Sequence, residues 1–406
     1  MEILSSPPKI SIKKIFKDNW PNYLATHRDS IPDYVITTIE KMLSCRDPEK
    51  LSYHRYACPD HPDQYVVVPH SCKCRFCNSC GKILTDKWVK KINSLFPDVA
   101  FHHICFTLPK ELRKLLKEYR FLLNCLFTAS KETILSFCKE KKFIPAIVSC
   151  LHTFGGDLKD HPHIHMLVSS GGIDLKAKRK NRWKNHSFFP FKMLHKRYRY
   201  LLIKHLKKSI THYLKKHPEE KGELRLFRQK EVLDAFLDPF LRINWYVYDS
   251  TNLEPEKFTT GYILRYTKRP PLSECRICHY GKIEGEEGTW ISFTYKERGT
   301  SLMTKYTVQI EKFISLLIQH ILPPNFRVAR YSGLLSNRLR GKFGKLINKL
   351  SRKENEREKL SQWRQRQILF TGKDPLICPI CGKEMKLVEV AFFSSKEKDI
   401  VVYNPP

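Results

Sequence analysis

Five cysteines, Cys58, Cys72, Cys74, Cys77 and Cys80, stand within 23 residues, and no other stretch of the chain is so tightly restricted by its spacing. Cys58-Pro-Asp-His61 and Cys77-Asn-Ser-Cys80 each set two donors across two intervening residues. A tight turn then puts both ligand atoms on one side, and two such pairs complete a tetrahedral Zn²⁺ site. The spacing predicts Cys58, His61, Cys77 and Cys80 as the ligands, with Cys72 or Cys74 as alternates to His61. Four protein ligands leave no open position, so this zinc is structural. Lys73, Arg75 and Lys82 ride on the module and can meet phosphate. Further along, Cys275-Arg-Ile-Cys278 and Cys378-Pro-Ile-Cys381-Gly382 either share a second zinc or stand as two independent thiol pairs. The other four of the 14 cysteines past Cys45, namely Cys105, Cys125, Cys138 and Cys150, are scattered among apolar residues and read as core. A disulfide scaffold would be short and led by a secretory signal. Met1–Ser11 has no basic start followed by an apolar core, so the expectation is reduced thiols in a cytoplasmic, nucleoid-associated setting.

The second informative stretch is His161-Pro-His163-Ile164-His165-Met166. On a strand, positions two apart share a face. His163 and His165 therefore present paired imidazoles, while Ile164 and Met166 pack on the other side. Two imidazoles make half of a divalent-cation site with open positions. His161 sits beyond Pro162, which interrupts the strand ahead of it. A third ligand must come from a neighbouring element, and Asp157 and His103 are the candidates.

The third is Gly261-Tyr262-Ile-Leu-Arg265-Tyr266-Thr-Lys268-Arg269-Pro270-Pro271. Tyr262 and Tyr266, four apart, share one face of a helix that the prolines end. Arg265, Lys268 and Arg269 supply cations beside them. Tyrosine is a possible covalent nucleophile, but with a free pKa of about 10 it needs a polarised target. Aromatics at this spacing more often pack a core, and the histidine pair is what shifts the balance.

Net charge adds a partner. The chain carries 73 Lys/Arg against 41 Asp/Glu, a formal +32 over 406 residues. Residues 176–230 hold 19 basic and 3 acidic side chains, and residues 327–366 hold 13 and 3. Aromatics (Trp183, Phe188, Phe189, Tyr198, Tyr200, Phe343, Trp363) interleave both blocks. Cations with stacking rings suit single-stranded nucleic acid. No apolar run is long enough to span a membrane, and no Gly-rich phosphate loop is present, so neither a membrane role nor a nucleotide cofactor is expected.

Taken together, His163-Ile164-His165 with Tyr262-x-x-x-Tyr266 resembles the HUH endonucleases, and among them the double-tyrosine transposases of rolling-circle insertion sequences. The likeness extends over the Cys58–Cys80 module, Phe106-Thr107-Leu108-Pro109, His152-Thr-Phe-Gly-Gly, Ser170-Gly171-Gly172 and Arg330-Tyr-Ser-Gly-Leu-Leu-Ser-Asn-Arg338. It implies an α+β fold: a palm-like antiparallel sheet with helices, the histidines on a central strand and the tyrosines on a facing helix. It implies that Tyr262 and Tyr266 are nucleophiles, and that His163 and His165 hold Mg²⁺ or Mn²⁺. The substrates would be single-stranded DNA and transposon-end hairpins, cut through a 5′-phosphotyrosine. The expected division is a helical segment (1–50), a zinc module (51–95), the catalytic domain (96–300, with a basic insert at about 174–235) and a basic C-terminal region (301–406). A replication initiator or relaxase with the same chemistry, and a non-catalytic zinc-held nucleic-acid binder, are the rival readings.

Overall fold

Apolar alternation organises the centre of the molecule. In this computed structural model the residues described are 10–93, 97, 99–176, 183–243, 245, 247–250, 270–297, 302–350, 363–393 and 398–402. Strands β3 (Phe101–Phe106), β4 (Phe143–Phe154), β5 (Asp160–Asp174) and β7 (Val247–Ser250) join β11 (Ala329–Gly333) in the order β11-β4-β5-β3-β7, with every pairing antiparallel. The short β6 (Trp183–Lys184) pairs with the far end of β5. Ile104, Phe106, Ile147, Leu151, Ile164, Met166 and Val168 project to one face. There they bury against α4 (Glu111–Glu118), α5 (Leu123–Glu140) and α6 (Phe191–Lys216). Every second residue of β5 therefore faces hydrocarbon, and its neighbours face the other way.

The opposite face carries a smaller cluster, in which Val148, Cys150 and Leu167 pack under Trp88 of α3 (Asn78–Asn93). Trp88 Nε1 donates to Tyr331 of β11 at 2.8 Å, which fixes α3 across this face. A further core gathers α1 (Ile12–His27), α2 (Asp33–Leu43), the segment Phe76–Cys80, the meander of β8 (Ile277–Gly281), β9 (Trp290–Lys296) and β10 (Met303–Gln309), and the helix Ile310–Ile318. The strands β12 (Lys386–Phe393) and β13 (Lys398–Val402) join the hairpin of β1 (Tyr53–Ala57) and β2 (Tyr65–Pro69) in a four-stranded sheet, order β13-β12-β1-β2.

The α+β architecture, with an antiparallel sheet and the histidine strand at its middle, agrees with the sequence reading. Several local expectations do not hold. Pro162 lies inside β5, and Pro145 inside β4, because the β4–β5 register shifts near both, between Pro145 and Ile147 and between His152 and Phe154. A bulge needs no ladder donor, so proline is tolerated there. Asp238–Leu241 closes as a 3₁₀ turn ahead of β7. Between α4 and α5 the helical path breaks at Tyr119, whose ψ of 77° leaves the helical region. The four segments expected from the sequence also intermix: α1 and α2 share a core with residues 272–321, and the C-terminal strands complete the N-terminal sheet.

Phe106 is fully buried between sheet and helices, against Tyr198. Phe106→Ala should lower unfolding free energy by about 3–5 kcal/mol in urea titration. Phe188→Ala, at a ring 67% exposed, should stay within about 0.5 kcal/mol.

Candidate functional site

The face of β5 turned away from the helices holds His163 and His165. Direct cross-strand partners share a face. His163 stands opposite His152 of β4, and His165 opposite Cys150 of β4 and Cys105 of β3. His103, two residues along β3 from Cys105, joins the same face. Four imidazoles thus converge: His163 Nε2 and His165 Nε2 are 3.0 Å apart, His103 Nε2 lies 2.7 Å from His165 Nδ1, and the His152 ring centroid is 4.4 Å from that of His165.

Hydrogen bonds decide which nitrogen of each ring carries the proton. His163 Nδ1 is 2.6 Å from the His161 carbonyl oxygen, which can only accept. That contact places the proton on Nδ1 and leaves the Nε2 lone pair directed at His165. A neutral His165 that donates its Nδ1–H to His103 Nε2 presents its own Nε2 in the same way. Anchoring the remote nitrogen so that the near one can ligate is how metal-binding imidazoles are commonly held. Cys105 Sγ completes a group whose ligand atoms all lie within 4.8 Å of one another. These donors can hold a divalent cation. His152 is neutral, held well below the ordinary imidazole range by burial and by the neighbouring His163, Arg75 and His103. Its buried Nε2 has no hydrogen-bond partner among the described residues.

Asp157 belongs to none of the clusters found among the described residues. Its carboxylate instead closes its own turn, accepting from Lys159 N at 3.2 Å and lying 3.4 Å from Lys159 Nζ. Cys105 escaped the sequence reading because a lone cysteine in an apolar run looks like core. Cys105 lies on β3, the strand that pairs with the HxH strand, in step with His103.

Tyr262 and Tyr266, with Arg265, Lys268 and Arg269, lie outside the described residues. The chain on either side is placed. It departs after β7, which pairs with β3 so that Ser250 stands opposite His103. It returns at Pro270, tight against Gly81: a Cβ on Gly81 would come within 2.8 Å of Pro270 Cδ. Pro271 then lines a cavity of about 210 Å³ with Arg75 and His320.

The cysteines sort into two groups. Cys77 and Cys80, at the start of α3, meet Cys72 and Cys45, which follows α2. Cys45 Sγ and Cys72 Sγ lie 3.5 and 3.6 Å from Cys80 Sγ. Zn–S bonds of about 2.3 Å in a tetrahedron put sulfurs about 3.8 Å apart, so the spacing fits zinc. Hydrogen bonding from Cys72 lowers the Cys45 thiol below its ordinary value. Cys58 and His61, expected in this set, instead meet Cys378 and Cys381. Cys275 and Cys278 join neither group: the Cys275 thiol contacts Ser273 Oγ and that of Cys278 donates to the Ser292 carbonyl. Spacing identifies a ligand pair but not its mate, and Cys45 stood within a segment read only as helical. The donor sets support structural Zn²⁺.

The two basic blocks are placed differently. The apolar side of α6 (Leu194, Tyr198, Leu202, Leu206, Ile210) faces the helical layer, so its lysines project outward on the side of the sheet away from the histidines. The helix Asn337–Leu350 follows β11, and its Phe343 packs on the histidine-bearing face.

Comparison with known proteins agrees with this arrangement. Residues 146–342 match a family model described as "Putative transposase", and residues 15–108 match the "Transposase zinc-binding domain". The "Transposase for insertion sequence element IS801" of Pseudomonas savastanoi pv. phaseolicola is 29% identical over 378 residues, covering 92% of this chain and 88% of the relative. A Sinorhizobium fredii (strain NBRC 101917 / NGR234) protein, "Putative transposase y4qJ", is 25% identical over 391 residues, covering 93% and 95%. No solved structure matches the chain. Among the described residues, no helix is long and apolar enough to cross a membrane.

His320 lies under the site with its Nδ1 3.1 Å from Thr153 Oγ1 and its Nε2 2.8 Å from the Leu158 carbonyl. Burial pushes its pKa down to about 3. The unfolded chain takes up a proton below about 6.5 that the folded chain refuses, so this residue makes stability fall as pH drops from about 6.5 to about 3. Urea midpoints measured across that range should fall less steeply in His320→Gln than in the parent.

Proposed function

We propose that the chain, whose residues 146–342 and 15–108 match a putative-transposase family model and a transposase zinc-binding domain, is an insertion-sequence transposase that cleaves and rejoins single-stranded DNA at transposon ends through a tyrosine-linked intermediate. One observation carries the reading: two imidazoles converge their Nε2 atoms on a sheet face whose edge strand runs into the Tyr262–Tyr266 segment. A transposase needs a cation there, since a phosphodiester carries negative charge on the oxygens that the nucleophile must pass.

The tyrosine hydroxyl of Tyr262 or Tyr266 attacks phosphorus. A phosphotyrosine ester forms at the 5′ side, the bond to the 3′ oxygen breaks, and that oxygen leaves as a free 3′-OH. The ester keeps the energy of the original phosphodiester, so rejoining by the reverse attack requires no nucleotide hydrolysis. The second tyrosine can then act on a second strand. A divalent cation bound here would supply Lewis-acid polarisation of the phosphate. His163 and His165 would hold it, with the His161 carbonyl and His103 keeping the two rings in the binding tautomer. Imidazole and thiol donors are softer than the oxygen set that Mg²⁺ demands, so of the two expected ions Mn²⁺ is the better fit. His152, neutral at physiological pH, adds no positive charge that would repel the metal. The cationic Arg75, on the zinc-held loop, faces the same region and favours an anionic strand. Single strands and end hairpins are the substrates because a tyrosine can reach a phosphate of an unpaired backbone, and the basic segments with exposed rings such as Phe188 and Tyr200 offer stacking contacts.

Incubation with labelled single-stranded transposon ends and Mn²⁺, followed by denaturing electrophoresis, should give a protein–DNA band. The band should vanish in the combined Tyr262→Phe and Tyr266→Phe variant. It should form at least roughly 100-fold more slowly in His163→Ala or His165→Ala. Binding without any covalent band, across a panel of ends, would instead assign the chain to non-catalytic nucleic-acid binding.

A further inference from the structure

Half of the second cysteine group lies beyond either family match. Cys58 and His61 fall within residues 15–108, whereas Cys378 and Cys381 lie past residue 342. We propose that Cys58, His61, Cys378 and Cys381 hold a second structural Zn²⁺ that clasps the C-terminal strand pair onto the N-terminal hairpin. The proposal does not depend on the DNA chemistry inferred above.

The geometry is that of a tetrahedral site. Cys58 Sγ lies 3.5 Å from Cys381 Sγ and 3.8 Å from His61 Nδ1, and Cys378 Sγ lies 3.9 Å from the same nitrogen. Bonds of about 2.3 Å to sulfur and about 2.0 Å to nitrogen put tetrahedral neighbours about 3.6–3.8 Å apart. A disulfide would need its sulfurs at about 2.05 Å, and it would give His61 no reason to point inward.

Both halves are shaped as ligand turns. In the first, Cys58 N donates to the Gln64 carbonyl and Gln64 N to the His61 carbonyl, which folds the tip of the β1–β2 hairpin back on itself. In the second, Gly382 N donates to the Cys378 carbonyl and Cys378 N to the Lys383 carbonyl, and Gly382 takes φ +70°, a value that favours glycine. The turns then hold each other: Lys383 Nζ is 2.7 Å from Asp60 Oδ2, and β12 pairs with β1 from Tyr53 opposite Ala391 to Ala57 opposite Lys386. The base of the same hairpin is tied to the other cysteine group, since Arg46 N and His70 N donate to the carbonyls of His70 and Ser52 beside Cys45 and Cys72. The hairpin therefore runs from one metal site to the other. Its outer end fastens a segment more than 300 residues away in sequence, and a link across so long a loop restrains the unfolded chain strongly.

Cys381 makes a clean test because it is exposed, as are Cys275 and Cys278. In zinc-loaded full-length protein, alkylation followed by mass spectrometry should label Cys275 quickly and leave Cys381 protected. Withdrawing zinc with a chelator should abolish that protection, together with that of Cys58 and Cys378. Metal analysis should find two zinc ions per chain, falling to one in Cys378→Ser with Cys381→Ser and remaining at two in His61→Cys. Alkylation of Cys381 at the rate of Cys275 in the zinc-loaded chain would overturn the proposal. So would zinc content that is the same in the double serine variant as in the parent.

Discussion

Strand β5 can bury only one of its two faces in hydrocarbon, and the rest of the site follows from that. Ile164, Met166 and Val168 are drawn into the core with α5 and α6. The two-residue period then leaves His163 and His165 no choice of direction. The flanking strands obey the same rule in register, so His152, Cys150, Cys105 and His103 arrive on the same face without any local turn or loop to place them. A site built on central strands is held more firmly than one built on loops, which matters where charge must be stabilised by groups already in position.

The period of β5 was legible from residues 163–166 alone, because two histidines alternating with apolar residues leave few alternatives. The order of partners was not. His103 and Cys105 face the pair only because β3 lies beside β5, and antiparallel neighbours are chosen by long-range packing. The cysteine pairs show the same limit. Cys58/His61, Cys77/Cys80 and Cys378/Cys381 each declare themselves by spacing, since two intervening residues are what a tight turn requires. Which pair meets which depends on β12 finding β1, an event between residues more than 300 apart in sequence. The prolines misled for a related reason: Pro145 and Pro162 forbid a regular ladder but not a bulge, and a bulge is visible only once both strands are paired.

The excess charge divides into two populations with different access to the histidines. On α6 the apolar stripe faces the sheet, so the lysines of that helix stand on the outer surface of the layer opposite the site. Phe343, in the helix that follows β11, packs on the other side with Trp88 and Val148. Over distances beyond about 8–10 Å surface charges are largely screened at physiological salt. The charge on α6 therefore raises the overall attraction for a polyanion and its rate of encounter. In the proposed reaction, attraction of an anionic strand toward the imidazoles would fall to cations near their own face, such as Arg75.

The zinc-held segment is more than an appended module, because it packs directly on the sheet that carries the histidines. Cys77 and Cys80 open α3, and Trp88, further along the same helix, bonds to Tyr331 on the sheet edge. Between the ligands, Arg75 turns toward the histidine face, and Gly81 admits Pro270 so closely that any side chain would collide. The segment bearing the two tyrosines is thus tied at one end to β3 through β7 and at the other to the metal-held turn. Its two ends are set by separate devices, a β-ladder and a zinc knuckle. If either end shifts, the intervening segment is displaced with it, and under the proposed chemistry an ångström of displacement would cost roughly 100-fold in rate. A tetrahedral zinc site with four protein ligands, which neither opens nor changes geometry during a reaction, is a suitable anchor for such a boundary. That requirement gives a physical reason for a transposase to join a metal-held module to its catalytic sheet.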